Sequence, residues 1–430
     1  MKIQFHGAAR EVGRSCISIT TKNGNRYLLD VGIKFQEDGF SGPEGVTNVP
    51  GIKGVFLSHA HLDHSGGLPL FEHQKLKCPI FCTRQTFAIT KILLKDSYKI
   101  ARIKHTHPAY DKTDLVEVSK ETEYVQYDKW YVHNDLKFKY LNAGHIPGSA
   151  MILIEADGKR ILYTGDYNNK ETELMYSAIV NKELTDKPID VLITESTYGN
   201  RELPDRKLLN KQFIASVKKT ISGGGSVLIP VFALGRAQET LIMLGKENLN
   251  CKIYLDGMAK TITKQIISTS SKYVKNKDLL SEIFFNKIEW ISSPKRRNDA
   301  IRNGGIFITT SGMLQGGPVL EYLKELWHNP KNKLTLMGFQ CKRTNGRHLV
   351  EEGFVYIDGW KTQVKCAVEK YDFSGHTDSE FIKKMVSTIN PKMVFFQHGD
   401  EESVDILNQW AKKNIKGKTY APSLGEIFEI

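Results

Sequence analysis

The run His59-Ala60-His61-Leu62-Asp63-His64 puts four metal-donor side chains into six positions, directly after the apolar stretch Val55-Phe56-Leu57. A solvated loop has no use for that density, and a packed core could not satisfy it. An apolar stretch of this length reads as a buried strand, so the donors emerge where the strand ends and the chain turns. Imidazole and carboxylate suit zinc and its neighbours among the divalent ions. Neighbouring side chains at this spacing must point to two places. That fits a catalytic binuclear centre better than a closed, cysteine-rich structural one.

The same strand-then-donor order recurs along the chain. Tyr27-Leu28-Leu29 ends at Asp30, Ile161-Leu162-Tyr163-Thr164-Gly165 at Asp166, Val191-Leu192-Ile193-Thr194 at Glu195, and Met393-Val394-Phe395-Phe396-Gln397 at His398. Near-continuous apolar runs belong to strands buried on both faces, and α/β sheets place their active sites at the carboxyl ends of strands. One sheet edge is therefore expected to collect Asp30, the His59 cluster, Asp166, Glu195 and His398. These residues come from both ends of the chain, so the middle is expected to be an insertion, with domain segments 1–199, 200–366 and 367–430.

Charge sets the middle apart. The chain carries a net +12, yet residues 200–366 hold 27 Lys+Arg against 14 Asp+Glu, and the remainder is nearly balanced at 33 against 34. A basic segment beside a metal site points to a polyanionic substrate, because phosphates release counterions when Lys and Arg neutralise them. Within it, helical spacing of Leu208, Phe213, Ile214 and Val217 follows Asp205. Strand candidates are Ser226 to Phe232, Lys252 to Leu255, Gly305 to Thr309 and Leu334 to Gly338, interleaved with helical stretches as in a small doubly wound sheet. Gly223-Gly224-Gly225 lacks the Gly-Lys-Ser/Thr of a phosphate loop. Six scattered cysteines, Cys16, Cys78, Cys82, Cys251, Cys341 and Cys366, form no framework and read as buried thiols of a reducing cytosol. No apolar stretch approaches the roughly 20 residues of a bilayer span, and the start lacks a secretory pattern. A cytoplasmic protein without a membrane partner is expected.

Two further donors stand in Ala143-Gly144-His145-Ile146-Pro147-Gly148 and Thr164-Gly165-Asp166-Tyr167. With the 59–64 run, their order resembles the metallo-β-lactamase superfamily. Further along, Thr194-Glu195-Ser196-Thr197-Tyr198-Gly199, Phe373-Ser374-Gly375-His376-Thr377-Asp378 and Phe396-Gln397-His398-Gly399-Asp400 resemble the three signatures of the β-CASP nucleases. The start, Arg10-Glu11-Val12-Gly13-Arg14-Ser15-Cys16, resembles the branch that includes the cleavage-and-polyadenylation specificity factor endonuclease. Gly375, Asp400 and Arg343 stand where the family more often has alanine, glutamate and glycine, and none of these changes removes a donor.

The resemblance implies an α/β fold, a metallo-β-lactamase αβ/βα sandwich with an inserted β-CASP α/β domain. It implies two zinc ions per chain, with manganese as the alternative. His59, His61 and His145 would hold one, Asp63, His64 and His398 the other, and Asp166 would bridge them. Two ions about 3.5–4 Å apart acidify a water and offset charge on a phosphodiester. Asp30 is assigned to orienting the His59 loop. Catalysis is assigned to His376, Glu195 and Asp63, with Glu195 keeping His376 charged as general acid.

The expected function is therefore a zinc-dependent ribonuclease acting on single-stranded RNA, leaving a 5′-phosphate and a 3′-hydroxyl. The basic insert is expected to act as an RNA clamp, with Arg236, Ser311 and Arg347 as phosphate contacts. His398 in the third signature favours RNA over DNA. The chain ends soon after Gly425, without the extra C-terminal domain of RNase J or an N-terminal KH extension, so endonucleolytic action is preferred. The alternatives are a 5′-to-3′ exoribonuclease of RNase J type, a small-ester or thioester metallo-hydrolase, and a non-catalytic RNA-binding subunit. A homodimer or an RNA-processing complex stays open. His105 and His107 read as a surface pair, and His6, His73, His133, His328 and His348 as ordinary residues.

Overall fold

The computed structural model describes residues 1–36, 39–46, 51–73, 77–103, 110–269 and 271–430. His105 and His107 lie outside the described residues. The chain forms two compact units: one of Met1–Glu171, Met175–Glu202 and His376–Ile430, the other of Thr172–Leu174 and Leu203–Gly375.

The first unit is an αβ/βα sandwich of two seven-stranded sheets. One sheet runs Ile427–Glu429, Lys2–Phe5, Ile17–Thr20, Arg26–Leu29, Ile52–Phe56, Ile80–Thr83, Thr122–Val125. The other runs Lys418–Tyr420, Met393–Gln397, Val191–Glu195, Lys159–Tyr163, Ala150–Ala156, Leu136–Asn142, Trp130–His133. Successive side chains of a strand point to opposite faces, and both faces are covered here. Val191, Ile193 and Phe395 join the core between the sheets, with Phe56, Phe138 and Tyr163. Leu192, Val394 and Phe396 face the other way, onto Ile382 and Val386 of helix Ser379–Ile389 and Val404 and Leu407 of helix Glu401–Asn414. That double burial is why the runs ending at donors contain no polar alternation. Burying one such side chain contributes roughly 1.5–3 kcal/mol.

The second unit is built on a six-stranded sheet ordered Glu289–Trp290, Ile253–Leu255, Ile306–Thr309, Val227–Pro230, Lys333–Met337, Ala367–Tyr371, with every pairing parallel. Three details differ from the sequence reading. Helix Arg206–Ser222 buries Leu209, Phe213, Val217 and Thr220, while Leu208 is 56% exposed. Asp205 caps it, accepting the Leu208 N–H at 2.8 Å. The return to the first unit was expected at residue 367, yet Ala367–Tyr371 pairs with Lys333–Met337 as the last strand of this sheet. Cys16, Cys78, Cys82 and Cys366 are buried, but Cys341 is exposed and Cys251 half-buried, so not every thiol is a core residue. Among the described residues no helix is long and apolar enough to cross a membrane.

Candidate metal centre

Parallel register brings the donors together. Lys159–Tyr163, Val191–Glu195 and Met393–Gln397 run side by side, with Glu195 opposite Gln397. Asp166, Glu195 and His398 therefore emerge at the same end of one sheet. In the other sheet Leu29 lies opposite Phe56, which sets Asp30 beside the segment entering His59. A short helix, Leu62–Ser65, then turns Asp63 and His64 back toward the strand ends. The turn packs too tightly for a side chain at Gly32, where a Cβ would fall 1.7 Å from Asp63 O. Gly144, at φ +67°, lets His145 enter from the loop between Leu136–Asn142 and Ala150–Ala156.

Asp166 sits at the centre with its two oxygens facing different neighbours. Oδ2 lies 3.5 Å from His59 Nε2 and 3.8 Å from His145 Nε2. Oδ1 lies 3.4 Å from His64 Nε2 and 3.1 Å from His398 Nδ1. His61 Nδ1 approaches His145 Nε2 at 3.1 Å, and Asp63 Oδ2 is 3.5 Å from His398 Nε2. Two sets result, His59–His61–His145–Asp166 and Asp63–His64–Asp166–His398, each with donor atoms within 4.8 Å of one another.

A divalent ion fits these sets on the structure's own terms. His59 Nε2 is buried without a hydrogen-bond partner, and Asp166 Oδ1 and His398 Nδ1, although 3.1 Å apart, miss hydrogen-bond geometry, a costly condition unless another group supplies the contact. The donors are imidazoles and carboxylates, the set that zinc and similar ions take.

Asp30, fully buried, fixes the imidazoles from behind. Its Oδ2 accepts from His64 Nδ1 at 2.7 Å, from Ser58 Oγ at 2.6 Å and from the Tyr163 hydroxyl at 2.7 Å. Its Oδ1 accepts the Ser58 N–H at 2.6 Å. A carboxylate can only accept, so His64 carries its proton on Nδ1 and presents Nε2 to the centre. Ser58 Oγ donates to Asp30 and therefore accepts from His59 Nδ1 at 3.0 Å. His59 Nε2 is thereby left as a lone-pair donor.

Charge is distributed unevenly over the ligands. Burial pulls the pKa of His59 well down and that of His61 down as well, which keeps both neutral. Burial also opposes charge on His64 and His398, but Asp166 outweighs it, helped by Asp30 for His64 and by Asp63 for His398. His398 is pushed up to about 10. These neighbours therefore favour the protonated form of both rings, against which an ion must compete.

Glu195 and His376 stand beside this group. Fully buried Glu195 accepts from His376 Nδ1 at 2.9 Å and from the Tyr167 N–H at 2.8 Å. His376 Nδ1 is 3.9 Å from Asp166 Oδ2, and its ring centroid is 4.5 Å from that of His145. Burial lowers the His376 pKa, but Glu195 and Asp166 more than offset it, so the net direction is upward. The segments carrying Asp166 and His376 are laced together. Thr377 N–H donates to Tyr167 O at 2.8 Å, Thr377 Oγ1 to Asn169 Oδ1 at 2.8 Å, and Lys170 Nζ to Asp378 Oδ2 at 2.7 Å.

The residues expected to touch phosphate lie in the second unit and differ in character. Arg236 is only 9% exposed and pairs, with Arg206, to the buried carboxylate of Glu239. That contact makes it an internal ion-pair residue rather than a surface phosphate contact. Ser311 Oγ accepts the Gln315 N–H at 3.2 Å, within its own turn. Arg347 pairs with Glu351 one helical turn on, at 2.5 Å, and its Nε is buried without a partner. Of the other histidines, buried His6 bonds Glu44 O and Ser18 Oγ, and His73, His133 and His348 bond Asp114, Lys53 O and Glu352. His328 lies edge-on to Trp327. Sequence reasoning missed Ser58 and Tyr163, since a lone hydroxyl inside an apolar run carries no signal of its own.

The fold and the donor set define a metallo-hydrolase sandwich with a divalent-metal centre. Three family models match the chain: "Metallo-beta-lactamase superfamily domain" over residues 19–198, "Beta-Casp domain" over 237–349, and "Zn-dependent metallo-hydrolase RNA specificity domain" over 361–422. The chain is 40% identical to "Probable RNase MJ4" of Methanocaldococcus jannaschii, over 100% of both chains. It is 34% identical to "RNase J-like protein" of the same organism, over 100% of this chain and 99% of that one. It is 31% identical to "Cleavage and polyadenylation specificity factor subunit 3" of Dictyostelium discoideum, over 94% of this chain and 54% of the relative. The chain belongs to the β-CASP family of the metallo-β-lactamase superfamily, on its cleavage-and-polyadenylation-specificity-factor-like side.

Proposed function

We propose that this protein is a zinc-dependent ribonuclease that hydrolyses phosphodiester bonds of single-stranded RNA, chiefly at internal positions, leaving a 5′-phosphate and a 3′-hydroxyl. The observation that carries the reading is Asp166, one carboxylate whose two oxygens face two separate donor sets, with the Glu195–His376 pair alongside. His59, His61 and His145 would hold one zinc, Asp63, His64 and His398 the other, and Asp166 would contact both. Such a pair, when bound, supplies Lewis acidity to a water and to a phosphoryl oxygen.

The chain's own residues do the rest. Asp30 and Ser58 hold the imidazole tautomers, so the donor nitrogens face inward without rearrangement during turnover. Glu195 takes the Nδ1 proton of His376 in a hydrogen bond and favours the charged ring. Nε2 of that ring is then the atom that passes a proton to the departing 3′ oxygen, which would otherwise leave as an unstable alkoxide. The excess of 27 basic over 14 acidic residues in 200–366 supplies attraction for a polyanion. The names of two relatives, "Probable RNase MJ4" and "RNase J-like protein", support RNA as substrate.

Purified protein incubated with 5′-labelled and internally labelled single-stranded RNA tests this. Internal fragments that vanish with chelator support the proposal. Mononucleotides released in order from the 5′ end favour the exonuclease reading, which the RNase J-like relative keeps in play. Ester hydrolysis without RNA cleavage overturns both.

A further inference from the structure

Residues 7–15, Gly-Ala-Ala-Arg-Glu-Val-Gly-Arg-Ser, link the first two strands and contribute no donor to either set. Their backbone is unusual, with Ala8, Arg10 and Arg14 at φ values of 55°, 57° and 46°. Left-handed conformations at non-glycine residues persist where the surroundings over-determine them. Here the surroundings are the two segments that carry Asp63 and His398. The His398 N–H donates to Ala8 O at 2.7 Å, and the Ser15 N–H donates to Asp63 O at 2.8 Å.

His398 is itself left-handed, at φ 51°, so the Ala8 carbonyl secures a donor residue in a conformation an isolated chain rarely adopts. Arg10 then reaches the helix that begins just beyond His398, lying 3.2 Å from Glu401 and 2.9 Å from Asp405. Arg14 and Lys34 close the loop on Glu11, both at 2.6 Å. The other donor set has backbone anchors of its own, and among the described residues the strap reaches it only through Ser15 Oγ, 3.1 Å from the Tyr163 hydroxyl that Asp30 binds. Ser58 O accepts the Ala150 N–H at 2.9 Å, and the His145 N–H donates to Ser149 Oγ at 3.2 Å.

We infer that residues 7–15 form a strap whose Arg10 end sets the affinity of one metal position, the one made by Asp63, His64 and His398, and leaves the other unaffected. Ala8, Arg10 and Ser15 are positioning residues in this arrangement. Arg10 ties the loop to the helix after His398, so the N-terminus and the last 33 residues of the chain are held as one frame around that position. The inference rests on the ligand reading above.

Zinc release from the loaded protein into an excess of chelator, followed with a zinc indicator dye, separates the two positions by rate. Arg10→Ala and Asp405→Asn should each speed the loss of one zinc about tenfold, the lower range seen when groups behind metal ligands are changed. The other zinc should leave at the wild-type rate. Arg10→Lys, which keeps one ion pair, should fall between, and the Arg10→Ala/Asp405→Asn double variant should be no worse than the worse single one. Melting curves of the metal-free proteins check that the variants remain folded. Unchanged release in Arg10→Ala and Asp405→Asn overturns the strap, as does equal loosening of both ions. A wild-type protein with fewer than two zincs overturns the ligand reading, and the strap with it.

Discussion

In the unit built from both ends of the chain, His59 Nε2 is buried with no hydrogen-bond partner, and Asp166 Oδ1 and His398 Nδ1, 3.1 Å apart, miss hydrogen-bond geometry. In the inserted unit Glu239 is buried almost as deeply, yet two arginines, Arg206 and Arg236, neutralise it. An unpaired buried polar group costs about 1–3 kcal/mol. One unpaired imidazole nitrogen, beside a carboxylate and a second imidazole that face each other without hydrogen-bond geometry, describes a site whose partner comes from outside the chain. In the inserted unit the buried charge of Glu239 is closed internally. Lys295 and Arg296 are exposed there, whereas Arg297 pairs with Asp256 at 2.7 Å.

The largest expected effect tests the first half of this contrast. Asp166→Ala removes the one group common to both donor sets, and RNA cleavage should fall about 10⁴-fold or more, as for loss of an essential catalytic group. Metal content measured on the same sample should fall with it. His376→Ala should lower the cleavage rate by about 10²–10⁴-fold, the range for a general acid, while metal content stays at the wild-type level. Loss of metal in that variant would assign His376 to the donor set instead.

The next two address the inserted unit. Glu239→Gln strands buried Arg236 and half-buried Arg206 and should cost about 3–5 kcal/mol of stability, read as a lower unfolding midpoint, with RNA affinity of the folded protein nearly unchanged. A large drop in affinity at unchanged stability would instead make Arg236 a substrate contact. The smallest effect is expected from Lys295→Ala with Arg296→Ala. If both touch phosphate, the slope of log affinity against log salt should shrink by about 1.4, at roughly 0.7 per contact on a single strand. An unchanged slope would move the binding surface elsewhere.

What could be read in the sequence follows the same division. Strands covered on both faces leave unbroken apolar runs, and a donor at the end of such a run stands out, as Asp30, Asp166, Glu195 and His398 do. Parallel pairing then carries Asp166, Glu195 and His398 to one end of one sheet and sets Asp30 beside the segment entering His59 in the other. Where a signal was weak, the physics was local. Leu208 and Leu209 are adjacent and equally apolar, and a shift of one residue turns a helix face by about 100°. Ala367–Tyr371 is a half-exposed edge strand with Glu369 and Lys370 inside it, so it lacks the apolar run of its neighbours. Arg236 stands among the phosphate candidates because a sequence does not say whether an arginine faces solvent or, as here, a buried carboxylate such as Glu239. Ser58 and Tyr163 gained meaning only when Asp30 was seen to collect both hydroxyls.

Anomalous diffraction at the zinc absorption edge from crystals of the loaded protein tests the central claim most directly. The account predicts two peaks flanking the Asp166 carboxylate, one within bonding distance of His59, His61 and His145, the other of Asp63, His64 and His398. A single peak, or two that do not share Asp166, would contradict it.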